Sequence, residues 1–156
     1  HQIKHVLEIG TAVSYSAHIM ANAGAHVTTL ERHPKMIEQA NMYISQSPLK
    51  DTIHLVKEDA ETYVPQQSFD LIFIDGAKSK YQLFFNRYMP YLRSNGMIVC
   101  DNIDFHHLDV TQVSRQTRAL LKKLEAFKNF LRTNQEIETT WLSIGDGLTI
   151  SKRKKR

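Results

Sequence analysis

The sequence is poor in the features that mark exported and membrane-inserted proteins. It has a single cysteine, Cys100, among 156 residues, so no internal disulfide can form, which is typical of a reducing compartment. No apolar run approaches the roughly 20 residues of a membrane-spanning helix. No leader-like segment stands ahead of the first apolar stretch at residues 5–9. We therefore expect a cytoplasmic protein that does not enter membranes.

Glycine is scarce where a dinucleotide-binding turn would need it. Such a turn has the pattern G-x-G-x-x-G, whereas the segment 8–14 contains only Gly10. This argues against NAD and favours a nucleoside ligand without a diphosphate. The backbone amides of the turn could still hold a carboxylate or phosphate. An ordinary tight turn without any ligand is the alternative for this segment taken alone.

The net charge of +4 is concentrated at one end of the chain. The last five residues, 152–156, carry five positive charges, which leaves about −1 on the remainder (+4 less +5). A solvated terminus and a contact with a polyanion both fit this basic tail. Arg115, Arg118 and Lys122 recur at helical spacing and indicate a basic helix face.

Alternating apolar and amphipathic segments predict one α/β domain, residues 1–156, with a Rossmann-like doubly wound sheet. The predicted strands are 5–9, 26–30, 53–56, 71–74, 97–100, 137–144 and 148–151. The predicted helices are 14–22, 34–45, 81–92 and 110–133. The Gly-Asp-Gly sequence at 145–147 predicts a hairpin. We therefore expect a mostly parallel sheet of about seven strands with the last strand antiparallel.

Acidic side chains follow two of the apolar strands. Asp75 ends the run 71–74, and Asp101 with Asn102 ends the run 97–100. Ligands of open α/β sheets bind beyond the carboxyl ends of the strands, so these oxygen ligands suggest one shared metal site. Lys78 follows Asp75 by three residues; a solvated lysine at a helix start is its simpler interpretation.

Two further acidic positions are consistent with a nucleoside. Glu31 closes the second strand about twenty residues after the glycine turn, where a carboxylate can accept hydrogen bonds from both ribose hydroxyls. Asp59 and Ala60 follow the third strand, where an adenine would lie. The two histidines at 106 and 107 invite a metal interpretation, but a surface loop is the favoured one.

These segments resemble the S-adenosylmethionine-dependent O-methyltransferases of the catechol and caffeoyl-CoA type. The resemblance rests on residues 7–16, 73–81 and 99–102 together with Glu31, and it extends through 144–148. Its specific part is the Asp-x-x-Lys sequence followed by Asp-Asn. The basic helix, the 143–147 segment and the basic end look most like the bacterial branch that methylates 5-hydroxyuridine at the wobble position of tRNA.

The resemblance implies a class I methyltransferase fold, with S-adenosylmethionine and Mg²⁺ as cofactors. It makes Lys78 the general base and Asp75, Asp101 and Asn102 the metal ligands. Ser16 and the glycine turn would hold the methionine end of the cofactor. The implied cofactor-binding residues are Glu8, Gly10, Thr11, Ser16, Glu31, Asp59, Ala60 and Asp75.

Three functions remain open at this point. The favoured one is methylation of 5-hydroxyuridine in tRNA, and the first alternative is methylation of a small catechol or phenol, because both substrates offer two neighbouring oxygens. The third is a non-catalytic RNA-binding module. The family is typically homodimeric and carries a helical segment ahead of the first strand; this sequence looks short of that segment. Ser14 also replaces a glycine that is usual in the family.

Overall fold

The fold is built on one seven-stranded sheet, seen in a computed structural model that describes residues 2–104, 109 and 111–155. The strand order is β3-β2-β1-β4-β5-β7-β6. The strands are β1 (His5–Ile9), β2 (His26–Leu30), β3 (Ile53–Val56), β4 (Phe69–Ile74), β5 (Leu92–Asp101), β6 (Ile137–Leu142) and β7 (Leu148–Arg153). β1 to β5 pair in parallel, and β7 is antiparallel to both of its neighbours. The predicted α/β sheet with an antiparallel last strand is confirmed.

Four α-helices among the described residues cover the two faces of the sheet. They are α1 (Tyr15–Asn22), α2 (Pro34–Gln46), α3 (Tyr81–Tyr88) and α4 (Arg115–Thr133). Successive side chains of a strand point to opposite faces, so Val6 and Leu7 of β1 belong to different cores. Val6 packs with the α1 and α2 residues, whereas Leu7 packs with the residues of α3 and α4. The sheet is therefore doubly wound, as the alternating pattern predicts. No helix in the described part of the chain is long and apolar enough to cross a membrane.

Helix α3 is shorter, and strand β5 longer, than the sequence predicts. α3 ends at Tyr88 and a 3₁₀ turn, Met89–Tyr91, contains Pro90. Proline lacks the N–H that would continue the helix, so the chain enters β5 at Leu92. Residues 94–96, which separate the predicted helix from the predicted strand, instead lie inside β5, next to a shift in the β4–β5 register.

The last strand extends into the basic end of the chain, two residues beyond its predicted end at residue 151. Strand β7 continues to Arg153, whose two terminal nitrogens donate to the carbonyl oxygens of Leu92 at 2.7 Å and Met89 at 2.5 Å. Arg153 pairs with Ile137 at the start of β6. The basic end therefore lies at the amino edge of the parallel strands, away from Asp75 and its neighbours at the carboxyl edge.

Helix α4 begins at Arg115, where the Ser114 hydroxyl accepts a hydrogen bond from the Thr117 N–H at 3.1 Å. The helix is predicted to begin at residue 110, but residues 111–114 form a turn and the cap ahead of it. Residue 110 itself lies outside the described residues, as do the histidines at 106 and 107. The buried side chains of α4 are Leu124, Phe127 and Leu131, all in its second half.

Candidate active site

A cavity of about 570 Å³ opens at the carboxyl ends of the parallel strands. The predicted site residues that line it are Gly10, Thr11, Ser16, Glu31, Asp59, Ala60, Asp75 and Asp101. Three other predicted residues are not among those that line it: Glu8, Lys78 and Asn102. Ligands of open α/β sheets bind at this edge, so the cavity is the candidate active site.

The strand register aligns the carboxyl ends of β1, β4 and β5 at one edge of the sheet. β1 pairs Ile9 with Ile74 of β4, and β4 pairs Ile74 with Cys100 of β5. The next residues along the chain are Gly10, Asp75 and Asp101. Neighbouring strands lie roughly 4.8 Å apart, so this register places the glycine turn and both carboxylates side by side.

The turn after β1 is held in left-handed conformations. Gly10 has φ +99°, and the non-glycine residues Ala12 and Ser14 have φ +47° and +70°. Residues with a β-carbon adopt this region at a cost. The conformation of Ser14, which is fully buried, gives a physical reason for the glycine that the family usually has there.

The backbone amides of this turn are already used inside the protein. Gly10 and Thr11 both donate to the carbonyl of Leu30, at 3.1 and 3.2 Å, and Ser14 donates to Thr11. The Ala12 N–H donates to the carboxylate of Glu31 at 3.1 Å. These four groups are therefore engaged within the protein, and the expectation that the turn amides hold a ligand carboxylate or phosphate stays a prediction.

A buried polar network lies under the cavity floor. Glu8, with no exposed surface, accepts hydrogen bonds from the hydroxyls of Ser16 and, at 2.6 Å, Thr29. Thr29 also shares a 2.6 Å hydrogen bond with Thr11. Burial raises the pKa of Glu8 to about 7, against the opposing effect of the two hydroxyl donors. Glu8 thus reaches the cavity through Ser16, and its predicted contact with a cofactor is indirect in this arrangement.

Glu31 closes the side of the cavity next to β2. Besides the Ala12 N–H, its carboxylate accepts from the backbone of Arg32 and His33, both at 2.9 Å. These contacts fix the entry to α2 and tie it to the glycine turn. The carboxylate still lines the cavity, where the ribose is expected.

Asp59 is engaged on both of its oxygens. One accepts from the Glu61 N–H and the other from the Arg32 guanidinium, each at 2.8 Å. The hydrogen bond from the Glu61 N–H is the main reason why the pKa of Asp59 is lowered; burial opposes it, and Arg32 lowers the pKa further. Its predicted neighbour Ala60 is buried and accepts from the Tyr88 hydroxyl at 2.6 Å.

The two aspartates of the predicted metal site influence each other. Burial raises the pKa of Asp75 and the charge of Asp101 raises it further, whereas Lys78 lowers it. Asp101 accepts from the Asn102 N–H at 2.8 Å, and Asn102 has φ +51°, a conformation that asparagine tolerates. In residues 2–104, 109 and 111–155 no three His, Cys, Asp or Glu side chains gather around one point. The predicted set has two carboxylates and an amide, so its donors suit a hard cation that a substrate or water would complete.

The two lysines after Asp75 have different surroundings. Lys78 lies with its Nζ atom 5.7 Å from the ring centre of Tyr81, beside the cavity. Lys80 lines the cavity and forms an ion pair with Glu61.

Sequence reasoning missed Lys80 and Glu61, although a second lysine two positions after Lys78 was a signal. It also missed Tyr15, which lines the cavity and is 75% exposed; nothing in the sequence distinguishes it from a core tyrosine.

Comparison with known proteins identifies the family. The family model described as O-methyltransferase matches residues 1–154. The caffeoyl-CoA O-methyltransferase of Populus kitakamiensis is 24% identical over 96% of this chain and 70% of its own length. The catechol O-methyltransferase of Niastella koreensis is 29% identical over 92% and 68%.

Solved structures agree with this match. A candidate caffeoyl-CoA O-methyltransferase from Staphylococcus aureus has a TM-score of 0.91 and 33% identity, covering 97% of this chain and 77% of its own. The methyltransferase PaMTH1 of Podospora anserina, solved with S-adenosylhomocysteine bound, has a TM-score of 0.87 and 27% identity over 98% and 73%. The chain belongs to the O-methyltransferase family of S-adenosylmethionine-dependent enzymes.

Proposed function

We propose that this chain transfers a methyl group from S-adenosylmethionine to a hydroxyl that has a second oxygen beside it, with the help of Mg²⁺. The favoured substrate is 5-hydroxyuridine at the wobble position of tRNA. The observation that carries the proposal is the register that sets Gly10, Asp75 and Asp101 side by side around one cavity.

The cavity suits the cofactor. The absence of a side chain at Gly10 lets the turn after β1 pack directly against the backbone of Asp75, with which a β-carbon would collide. Ser16 lies at the end nearest α1, for the methionine part, and Glu31 lies at the end of β2, for the ribose. S-adenosylmethionine, when bound, supplies a methyl group on a positively charged sulfur. The relative PaMTH1 holds the corresponding product, S-adenosylhomocysteine, which supports this assignment.

The donor set suits a divalent cation. Asp75 follows β4 and Asp101 ends the adjacent β5, and a positive charge between them would oppose the burial and the repulsion that raise the pKa of Asp75. Asn102 would add an amide oxygen. Mg²⁺ there would lower the pKa of a nearby hydroxyl and fix its orientation. Lys78, beside Asp75, would accept the proton that the hydroxyl gives up.

The tRNA substrate is supported by charge on the surface. Arg115, Arg118 and Lys122 of α4 are all exposed, and phosphate binding by such residues is the main source of affinity for nucleic acids. The 5-hydroxyl and 4-carbonyl of the modified base provide the two neighbouring oxygens. A small catechol is the second candidate, because relatives are named as catechol and caffeoyl-CoA O-methyltransferases.

One experiment separates these substrates. The protein is incubated with S-adenosylmethionine and Mg²⁺ together with tRNA that carries 5-hydroxyuridine, with the same tRNA carrying uridine, or with catechol. Mass spectrometry then follows a gain of one methyl group. We expect methylation of the hydroxylated tRNA, none of the uridine form, and a loss of the reaction when EDTA is added. Methylation of catechol alone would establish the small-molecule alternative, and methylation of neither would favour the non-catalytic RNA-binding module.

A further inference from the structure

The first half of α4 projects beyond the sheet. Lys128 donates to Asp104 at 2.7 Å, and Asp104 lies three residues after the carboxyl end of β5. From Lys128, near the carboxyl edge of the sheet, the helix runs to Thr133 and toward the start of β6 at the amino edge. At 1.5 Å per residue, residues 115–122 therefore lie roughly 9 to 20 Å further along the helix axis than Lys128. We name residues 115–123 the α4 arm.

Burial agrees with this geometry. The three buried side chains of α4, Leu124, Phe127 and Leu131, all follow the arm. Of the apolar side chains within the arm, Leu120 and Leu121 are half-buried and Ala119 is exposed. The arm is therefore not part of the sheet's core.

The arm carries positive charge without compensation in its own sequence. Its four basic residues are all exposed; they are Arg115, Arg118, Lys122 and Lys123. No aspartate or glutamate occurs between residues 110 and 124. Arg115, Arg118 and Lys122 share one face of the helix, because residues three and four apart are neighbours. That face is opposite to the one that carries Leu124 and Phe127, so it points to solvent along about 10 Å of helix.

The arm rises beside the mouth of the active site. The ring centres of Phe127 and Tyr81 lie 6.0 Å apart, and the Tyr81 hydroxyl donates to the carbonyl of Asp101 at 2.7 Å. Asp101 lines the cavity. The basic end of the chain is far from this point, because Arg153 lies at the amino edge of the sheet. The six residues of β7 separate the two edges by roughly 20 Å.

We propose that the α4 arm binds the phosphate backbone of the RNA whose base enters the cavity. This inference rests on the proposed function and assigns its RNA-binding surface. A convex stripe of separated cations fits an extended polyanion, whereas a small phosphate ligand is bound in a concave site. Contacts to phosphates fix the position of a nucleic acid without reading its sequence, so the arm orients the RNA and the cavity selects the base.

The test compares two variants that each lose three charges. The arm variant combines Arg115→Gln, Arg118→Gln and Lys122→Gln, and glutamine preserves helix propensity. The control combines Lys152→Gln, Lys154→Gln and Lys155→Gln at the exposed basic end. Binding of purified tRNA is measured by fluorescence anisotropy between about 50 and 200 mM salt, because counterion release changes the affinity strongly over this range. Thermal unfolding and S-adenosylhomocysteine affinity verify that both variants are folded.

We expect the arm variant to bind tRNA at least about 10-fold more weakly and to lose about 2 to 3 units of salt slope, roughly one for each phosphate contact. The control should differ from the wild type by less than about 3-fold. Equal losses in both variants would overturn the proposal. A wild-type protein that does not bind tRNA at all would also overturn it.

The outcome is separable from that of the methylation experiment. If the wild type methylates hydroxylated tRNA and the arm variant does so with unchanged KM, the arm assignment falls and the proposed function stands. If the arm variant loses tRNA binding but the wild type methylates no tRNA, the surface stands and the proposed substrate falls.

Discussion

Gly10 packs against the backbone of Asp75 so closely that a β-carbon on the glycine would lie 2.8 Å from the Asp75 carbonyl carbon, and closer still to its oxygen. This contact joins the turn after β1 to the end of β4, and thus the expected cofactor site to the expected metal site. The sequence presents Gly10 only as a turn residue. The structure shows two separate demands on it, a φ of +99° and the absence of a side chain.

Gly24 offers a matched control for these two demands. It has the same φ of +99°, but a β-carbon there would have nothing within 4 Å. We expect Gly24→Ala to lower the free energy of unfolding by about 1 to 2 kcal/mol, the cost of the left-handed conformation. Gly10→Ala should cost at least about 2 kcal/mol more, because the backbone of Asp75 must also move.

Urea denaturation measures both changes, and calorimetry with S-adenosylhomocysteine measures the effect on the site. Gly24→Ala should retain the affinity of the wild type, whereas Gly10→Ala should lose at least about 10-fold through the displaced strand ends. Equal stability losses in the two variants would show that the contact with Asp75 is unimportant.

Glu8 should make stability depend on pH. Its pKa is about 7 in the folded protein, against about 4.5 for a glutamate in water. The folded state therefore binds the proton more tightly, so this group's contribution is fully present below about pH 4.5 and is lost as pH rises to about 7. The difference corresponds to about 3 kcal/mol.

Glu8→Gln isolates this effect, since glutamine cannot titrate and can still bond to Ser16 and Thr29. Glu38→Gln, at an exposed position on α2, is the control. Free energies of unfolding are measured from pH 4.5 to 8. Relative to the wild type, the Glu8 variant should gain stability across this interval and the Glu38 variant should not. Parallel curves for wild type and Glu8→Gln would contradict the raised pKa.

The features that the sequence predicts well are those set by neighbouring residues. The apolar run 71–74 can only be a buried strand, and the polar group that follows, Asp75, must then lie at the strand's end. The same logic places Asp101. Because parallel strands share an edge, the meeting of these two residues follows without knowledge of the packing.

The features that the sequence does not reveal depend on distant partners. Glu8 meets Thr29, 21 residues away, only because β1 pairs with β2. Arg153 belongs to a run of basic residues that suggests a solvated tail, yet it bonds to Leu92, 61 residues earlier. The use of the turn amides by Leu30 and Glu31 likewise depends on the β1–β2 pairing.

Arg153 should therefore contribute to stability, unlike its neighbour Lys152. Arg153→Gln removes two charge-assisted hydrogen bonds, to the carbonyl oxygens of Leu92 and Met89, and we expect a loss of about 2 to 3 kcal/mol. Lys152→Gln, which alters an exposed side chain, should change stability by less than about 0.5 kcal/mol. Chemical denaturation of the two variants decides; equally small effects would mean that the basic end is a solvated tail after all.

Asp101 should be needed for a metal and not for the fold. Asp101→Ala removes one of the two facing carboxylates, so we expect turnover to fall by at least about 100-fold and its dependence on Mg²⁺ concentration to disappear. Asp146→Ala, an exposed carboxylate on the neighbouring hairpin, is the control. Melting temperatures should stay close to that of the wild type. Unchanged turnover of Asp101→Ala across a Mg²⁺ titration would argue against metal assistance.

Lys78 and Lys80 should affect different steps, although they are two residues apart. Lys78 is close enough to Asp75 to influence its pKa, so Lys78→Ala should lower kcat by about 100-fold or more, as for the loss of a general base, while the affinity for S-adenosylhomocysteine is retained. The loss should shrink as the pH rises, because a hydroxyl substrate then ionises without help. Lys80 pairs with Glu61 on the cavity wall beside Asp59, so Lys80→Ala should weaken cofactor binding with a smaller effect on kcat. Steady-state kinetics at several pH values and calorimetry distinguish the two; a kcat loss confined to Lys80→Ala would transfer the role of the base to that residue.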